Sequence, residues 1–344
     1  MSETGVAVRL SICIATRNRS ELLQETLEIF AEQMITGVEV VVADGASTDN
    51  TPQMLAKLAN DYSWLRYFSL NSNGGIDADY DFCVRQARGK YCWMFSDDDW
   101  PLQGVLQRIL IACQDGHDLI FIDADVRNKD MSKIILPSRA FLPHDEDIHH
   151  SEIDTIFIKT GRQLTFIGSC VLLRERWLSI DHSEFNGFMF PHIAPLFNFP
   201  MSHGARLLHE PGIAIRYGNA SWTAQSYNIW MFKWPELVWK LKAVSESAKV
   251  KITVREPWRD WRNLIWQRAK GVYGIDEYRE LTQYRLTLWQ LLKSRLIASI
   301  PGDIAIAIGF LASNLRPKSK KFLHVELQMS KFYRPAIWDR FVAK

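Results

Sequence analysis

Residues 38–44 read VEVVVAD, a nearly unbroken β-branched run that closes on an aspartate. A strand of that composition has no polar face to turn to water, so it belongs in a parallel sheet covered by helices on both sides. Runs of the same kind recur through the first 125 residues as LSICIAT, LRYFSL, YCWMF and DLIFIDA. Helical patterns separate them: Glu21–Gln33 with Leu22, Leu23, Leu27 and Phe30 on one face, a helix from Pro52 to about Asn60, one to about Ala87, and one over Leu102–Cys113. Such alternation is the signature of βαβ units and predicts an α/β fold with a Rossmann-like, mostly parallel sheet.

Polar residues gather where these strands end. Ala15–Arg19 follow the first, Asp44 closes the second, Asn73–Asp77 open the third helix, and Asp97–Asp99 follow YCWMF. Ligands of open α/β sheets bind outside the carboxyl ends of the strands, so these groups are expected to face one crevice. Three adjacent aspartates repel one another unless water or a cation screens them. In isolation they read as a solvated turn. At a strand end, the D-x-D pair Asp97 and Asp99 also suits Mg²⁺ or Mn²⁺, which take carboxylate and phosphate oxygens. Asp44 is either a turn residue or an acceptor for a ribose or base, and the glycines of NGG allow positive φ or close approach of the backbone to a ligand.

Charge divides the chain. Residues 1–220 carry 19 Lys+Arg against 29 Asp+Glu, and residues 221–344 carry 22 against 10, so a boundary is expected near 220 and the two parts are expected to meet different partners. Nine of the 13 tryptophans (222, 230, 234, 239, 258, 261, 266, 289 and 338) lie in the basic part. At helical spacing they read as core. Interleaved with Lys and Arg, as in WMFKWPELVWKLK and PWRDWRNLIWQRAK, they also fit helices on an anionic membrane surface.

The five cysteines show no CxxC spacing, which suits a reducing compartment without disulfides or zinc. No secretory signal is expected from the first residues, and IAIAIGFLA (304–312) reads as a buried or interfacial helix. Residues 126–160, with PHDEDIHH, read as a mobile loop with solvated His149 and His150. LTFIGSCVLLRERW and LLHEPGIAIRYG read as further strands completing the site.

LSICIATRNR, VVVADGASTDNT and GKYCWMFSDDDW resemble, in order and spacing, three motifs of family 2 glycosyltransferases, over about residues 8–125. The resemblance implies a GT-A fold that binds a nucleotide-diphosphate sugar, with a catalytic domain over 1–220 (donor half about 1–125, acceptor half about 126–220) and a helical region over 221–344. GGIDADYDFCV, FSDDDW, FPHIAPLF and RYGNASWTAQSYNIWMFKWP are similar to the O-antigen abequosyltransferase-type branch, which acts on lipid-linked oligosaccharides. Carried over, Ala15, Thr16, Arg19, Gly75 and Asp77 line the donor pocket, Asp44 meets base or ribose, Asp97 and Asp98 hold ribose, and Asp97 and Asp99 hold Mn²⁺ or Mg²⁺.

Relatives draw a general base from a Glu-Asp pair, and no such dipeptide follows residue 150 here. His192 of FPHIAPLF stands in its place, with Asp181 and Glu184 behind it, and a structural role for His192 is equally open. The single aspartate of ADGAS and Asp81, where relatives often have asparagine, also depart from the pattern.

The resulting expectation is a metal-dependent transferase on the cytoplasmic, inner face of a membrane. Its partners would be a nucleotide sugar, a glycan or lipid-linked acceptor and anionic lipid, with no nucleic acid. Two alternatives are a sugar-nucleotide-forming nucleotidyltransferase, which lacks support because no Gly-rich basic loop follows the first strand, and an inactive glycan-binding or nucleic-acid-binding protein.

Overall fold

A computed structural model describes residues 7–219, 225–315 and 320–341; Trp222 lies outside the described residues. The chain forms two units, Met1–Tyr217 with Lys240–Ile252, and Gly218–Trp239 with Thr253–Lys344. The change of unit at 217/218 falls beside the charge boundary, whereas the return of Lys240–Ile252 to the first unit has no compositional mark. That return is secured by the Ser245 N–H, which donates to Asp154 at 2.9 Å, and by the Arg162 guanidinium, which donates to the Lys251 carbonyl at 2.8 Å.

In the first unit the order is β1 (Leu10–Thr16), α1 (Ser20–Gln33), β2 (Val38–Asp44), α2 (Thr51–Asp61), β3 (Leu65–Ser69), α3 (Ile76–Gln86), β4 (Tyr91–Phe95), β5 (Trp100–Pro101), α4 (Val105–Ala112) and β6 (Leu119–Arg127). There follow β7 (Ile134–Leu136), β8 (Glu146–Ile148), α5 (Ile153–Thr160), β9 (Cys170–Leu173) and β10 (Ala205–Arg216). The sheet runs β3-β2-β1-β4-β9-β6-β10-β5, with β7 on β6 and β8 on β10. Strands β3, β2, β1 and β4 pair in parallel, as do β6 and β10. Every residue of β2 is buried, as its composition requires.

Two features depart from the sequence reading. β9 inserts antiparallel between β4 and β6, a pairing that local periodicity does not encode. The segment 126–160 contains β7, β8 and α5, so it is structured rather than a loop; His149 and His150 are exposed, as expected. LLHEPGIAIRYG falls on a strand as expected, β10, which ends at Arg216 and whose register shifts between Leu208 and Ile213. Pro211 lies inside that shift and cannot donate to a ladder, which is where a strand tolerates proline.

Core packing holds the ends of the central strands in place. Phe30, Trp93 and Phe95 meet edge to face with centroids 4.7–5.9 Å apart, and the Trp93 indole N–H donates to the Gly168 carbonyl at 2.7 Å. The Tyr80 hydroxyl donates to the Phe95 carbonyl at 2.7 Å, which pins α3 to the strand end just before the three aspartates. All five cysteines are free and buried.

The second unit is helical, including α6 (Trp261–Ala269), α7 (Leu288–Ala298) and α8 (Gly302–Asn314). One core cluster holds Tyr227, Phe232, Trp258 and Tyr273, and another holds Phe310 and Trp338. The Trp-rich basic segments are therefore mostly interior: Trp234 and Trp258 are buried and Trp230, Trp239 and Trp266 are half-buried. Two of their cations stack on rings of the same unit, Arg268 over Phe332 at 4.8 Å and Arg262 over Trp261 at 5.0 Å. No single helix among the described residues is long and apolar enough to cross a membrane; α7 and α8 reach that measure only as a pair bent by 101°.

Candidate functional site

The ends of β1 and β4 build the center of the site. Register pairs Ile14 of β1 with Phe95 of β4, so the residues leaving both strands emerge side by side. The Thr16 hydroxyl donates to Asp97 Oδ2 at 2.7 Å, and Arg19 Nη1 donates to Asp97 Oδ1 at 3.1 Å and Asp98 Oδ2 at 2.7 Å. Ser96 Oγ donates to Asp98 Oδ1 at 2.5 Å. The Arg216 N–H, at the end of β10, donates to Asp99 Oδ1 at 2.7 Å, and Arg216 Nε donates to the Asp98 carbonyl at 2.9 Å. Thr26 of α1 donates to the Asp99 carbonyl at 3.0 Å. All three aspartates are buried, so the strand end carries a walled carboxylate cluster, not a solvated turn.

Electrostatics follow from that burial. Loss of water pushes the Asp97 carboxyl up to about 6, with Asp98 adding repulsion while Arg19 and Thr16 act against it. Burial, then repulsion from Asp98, raises Asp99 well above the ordinary carboxylate range. Such a group gains from any cation brought against it. Among the described residues no three His, Cys, Asp or Glu side chains are grouped to hold a metal. The donor set fits an ion that takes one or two carboxylates and completes its shell with phosphate oxygens and water. Both oxygens of Asp97 are engaged by Thr16 and Arg19. Asp99 offers the freer carboxylate, with one oxygen on Arg216 N–H.

A second pair of carboxylates lies at the end of β2. Asp44 is buried; its Oδ1 accepts from the Ser47 N–H at 3.1 Å and its Oδ2 has no hydrogen-bond partner. Asp79 of α3 is also buried with Oδ1 lacking a partner. A Cβ on Gly45 would meet Asp79 Oδ2 at 2.9 Å, so glycine beside Asp44 is what allows Asp79 to close on this strand end. Burial raises the Asp79 pKa, and nearby Asp44 adds to the rise. Gly75 caps α3 at φ +82°, a conformation that favors glycine. Ala15, half-buried on β1, pairs with Ala43.

Four expected site residues have other surroundings. Asp77 Oδ2 accepts from the N–H groups of Gly187 (2.7 Å) and Met189 (3.2 Å), so it anchors the 187–189 turn to α3. His192 is fully buried, its Nε2 is 2.7 Å from the Leu164 carbonyl, and burial pulls its pKa down to about 4. A ring held neutral and shut off from solvent has no path to an acceptor hydroxyl, which corrects its reading as base. Asp181 is exposed and accepts from the Ser183 N–H at 2.9 Å; with the Ser183 hydroxyl, that contact holds its pKa down. Glu184 is exposed beside it.

Sequence reasoning missed Asp79, Arg139 and Arg216. Arg216 carried a usable signal, a cation at a strand's carboxyl end. Asp79 stands among Asp77 and Asp81, and only packing distinguishes the three. Arg139 lies in the stretch read as a loop; it donates to the Gln163 carbonyl at 3.0 Å. Burial lowers its pKa to about 10, although Asp123 and Asp99 act in the opposite direction.

The description Glycosyl transferase family 2 matches residues 11–179. The chain is similar to the abequosyltransferase RfbV of Salmonella typhimurium, 28% identical over 205 residues, covering 56% of this chain and 62% of that protein. It is also similar to the GalNAc(5)-diNAcBac-PP-undecaprenol beta-1,3-glucosyltransferase of Campylobacter jejuni, 29% identical over 115 residues, 33% of this chain and 37% of that one. The chain thus matches less than two thirds of either relative. Among solved structures, S. aureus TarS 1–349 in complex with UDP superposes with a TM-score of 0.58 at 17% identity, over 95% of this chain and 92% of that one. The mannosyltransferase PcManGT of Pyrobaculum calidifontis, in complex with GDP-Man and Mn²⁺, gives 0.54 at 16% identity, over 94% and 84%. At these identities the structures establish the fold alone.

Proposed function

Residues 11–179 form a family 2 glycosyltransferase domain on a GT-A fold, and from that premise we propose that the protein transfers a sugar from a nucleotide-sugar donor to a glycan acceptor in surface-polysaccharide synthesis of the O-antigen type. The observation that carries this reading is the walled strand-end cluster of Thr16, Arg19 and Asp97–Asp99, with the partnerless oxygens of Asp44 and Asp79 at the neighboring strand end.

In this reading Asp44 accepts from the ribose or base, and Asp79 sits behind it. Arg19 and Thr16 hold Asp97 and Asp98 in place for the ribose and diphosphate. A divalent cation, Mn²⁺ or Mg²⁺, on Asp99 and the donor's phosphate oxygens would offset charge developing on the nucleoside diphosphate. Arg139 adds a positive charge close enough to Asp99 for the two to attract. Deprotonation of the acceptor hydroxyl falls to Glu184, an exposed carboxylate shortly before the 187–189 turn that Asp77 anchors. The polyprenol-linked name of the Campylobacter relative supports a lipid-linked acceptor, and with it association of this chain with the inner face of an anionic membrane.

Calorimetric titration with UDP, CDP, GDP and dTDP, with Mn²⁺ and with a chelator, tests the reading. Binding selective for one nucleotide, weakened by chelator and lost in Asp99→Ala, is expected. Absence of binding to all four would overturn donor use.

A further inference from the structure

Helix α7 carries an apolar stripe that its own unit leaves uncovered. Leu288 is 73% exposed, Trp289 75%, Leu292 50% and Leu296 71%, whereas Ser294, Ile297 and Ala298 on the opposite side are buried. At 3.6 residues per turn the four exposed apolar residues fall within roughly 100° of arc. Arg295 borders the stripe on one edge and Lys293 on the other, and both are exposed. From Leu281 to Gly302 the chain holds three cations (Arg285, Lys293 and Arg295) and no Asp or Glu.

Scattered exposed apolar residues need no explanation, but a contiguous stripe marks an interaction site. Three properties select its occupant. The stripe is one helix face wide, because the other face packs into the core of its unit, so α7 can lie in an interface but cannot be surrounded by lipid. The cations stand at both edges of the stripe and not within it, where their stems can follow the apolar surface while their charges reach anionic groups. Trp289 sits at the edge nearest Lys293, the position suited to headgroup level. Helix α8 also exposes Ile304 and Leu311, but no cation borders that row within the helix.

We propose that α7 is the membrane-docking element of this protein, lying in the plane of an anionic bilayer with Leu288, Trp289, Leu292 and Leu296 among the acyl chains and Lys293 and Arg295 on lipid phosphates. The assignment rests on the membrane association proposed above and names the surface responsible. It revises the sequence expectation, which placed the membrane face in the Trp-rich segments, whose tryptophans are buried or half-buried except Trp261.

Flotation of the full chain with phosphatidylcholine vesicles, alone or mixed with phosphatidylglycerol, tests it, using L292E/L296E and K293Q/R295Q beside the unaltered chain. These side chains are exposed, so both variants should fold, and calorimetry should find their nucleotide affinity unchanged. The expected result is binding that grows with anionic lipid, falls at least tenfold in L292E/L296E, and falls roughly fivefold per cation removed in K293Q/R295Q. If the unaltered chain floats and L292E/L296E floats equally well, the assignment to α7 is overturned while membrane association stands. If the unaltered chain floats with no vesicle, both are overturned and the nucleotide titration still decides glycosyl transfer. Sedimentation without lipid showing a dimer that L292E/L296E dissociates would give the stripe to a second copy and overturn the bilayer.

Discussion

Asp97→Asn gives the most direct test of how the carboxylate cluster is built. In the folded chain burial raises the Asp97 pKa from 3.8 to about 6. Between those values the folded protein keeps a proton that the unfolded chain releases. Its contribution to stability is therefore present at low pH and is lost as pH rises through about 6. At 2.303RT per pKa unit, this group alone makes the fold more stable at about pH 5 than at about pH 7.5, by on the order of 1 kcal/mol. Asparagine does not titrate, and its substitution also relieves the repulsion that helps raise Asp99, an effect of the same sign. His192 works in the opposite direction, since its folded pKa of about 4 lies below the ordinary 6.5 and stability is lost as pH falls through that window. It is common to both proteins and cancels in their difference. Urea unfolding of both proteins at the two pH values reads the difference directly. A pH dependence in Asp97→Asn equal to that of the unaltered chain would refute the buried, proton-retaining cluster.

His192→Ala should lower stability by about 2–4 kcal/mol through a cavity and the lost contact to the Leu164 carbonyl, while turnover per folded molecule stays unchanged; a selective loss of kcat would restore His192 as base. Arg139→Gln should reduce kcat by roughly tenfold or more if its charge stabilizes the leaving diphosphate, and normal steady-state kinetics would confine Arg139 to packing on Phe166 and Gln163.

Much of the donor side was legible because it follows from local rules. VEVVVAD and YCWMF had to be buried parallel strands, and polar residues at their ends had to converge. Asp44 and Asp97–Asp99 could thus be named by position, and the resemblance of the same motifs gave them roles. The acceptor side was less legible because its contacts are non-local. FPHIAPLF looks the same whether His192 faces a crevice or a carbonyl, and Asp77, Asp79 and Asp81 differ only in what α3 packs against.

What the sequence determined by itself was the alternating α/β plan and the carboxylates at the strand ends, since apolar periodicity and strand direction are properties of neighbors along the chain. Tertiary structure decided the insertion of β9, the tethering of Asp97 and Asp98 by Arg19, the burial of His192 and the interior place of most tryptophans. It also decided that α7, and not the Trp-rich segments, shows an apolar face, because periodicity tells how a helix is divided into faces but only packing tells which face is left uncovered.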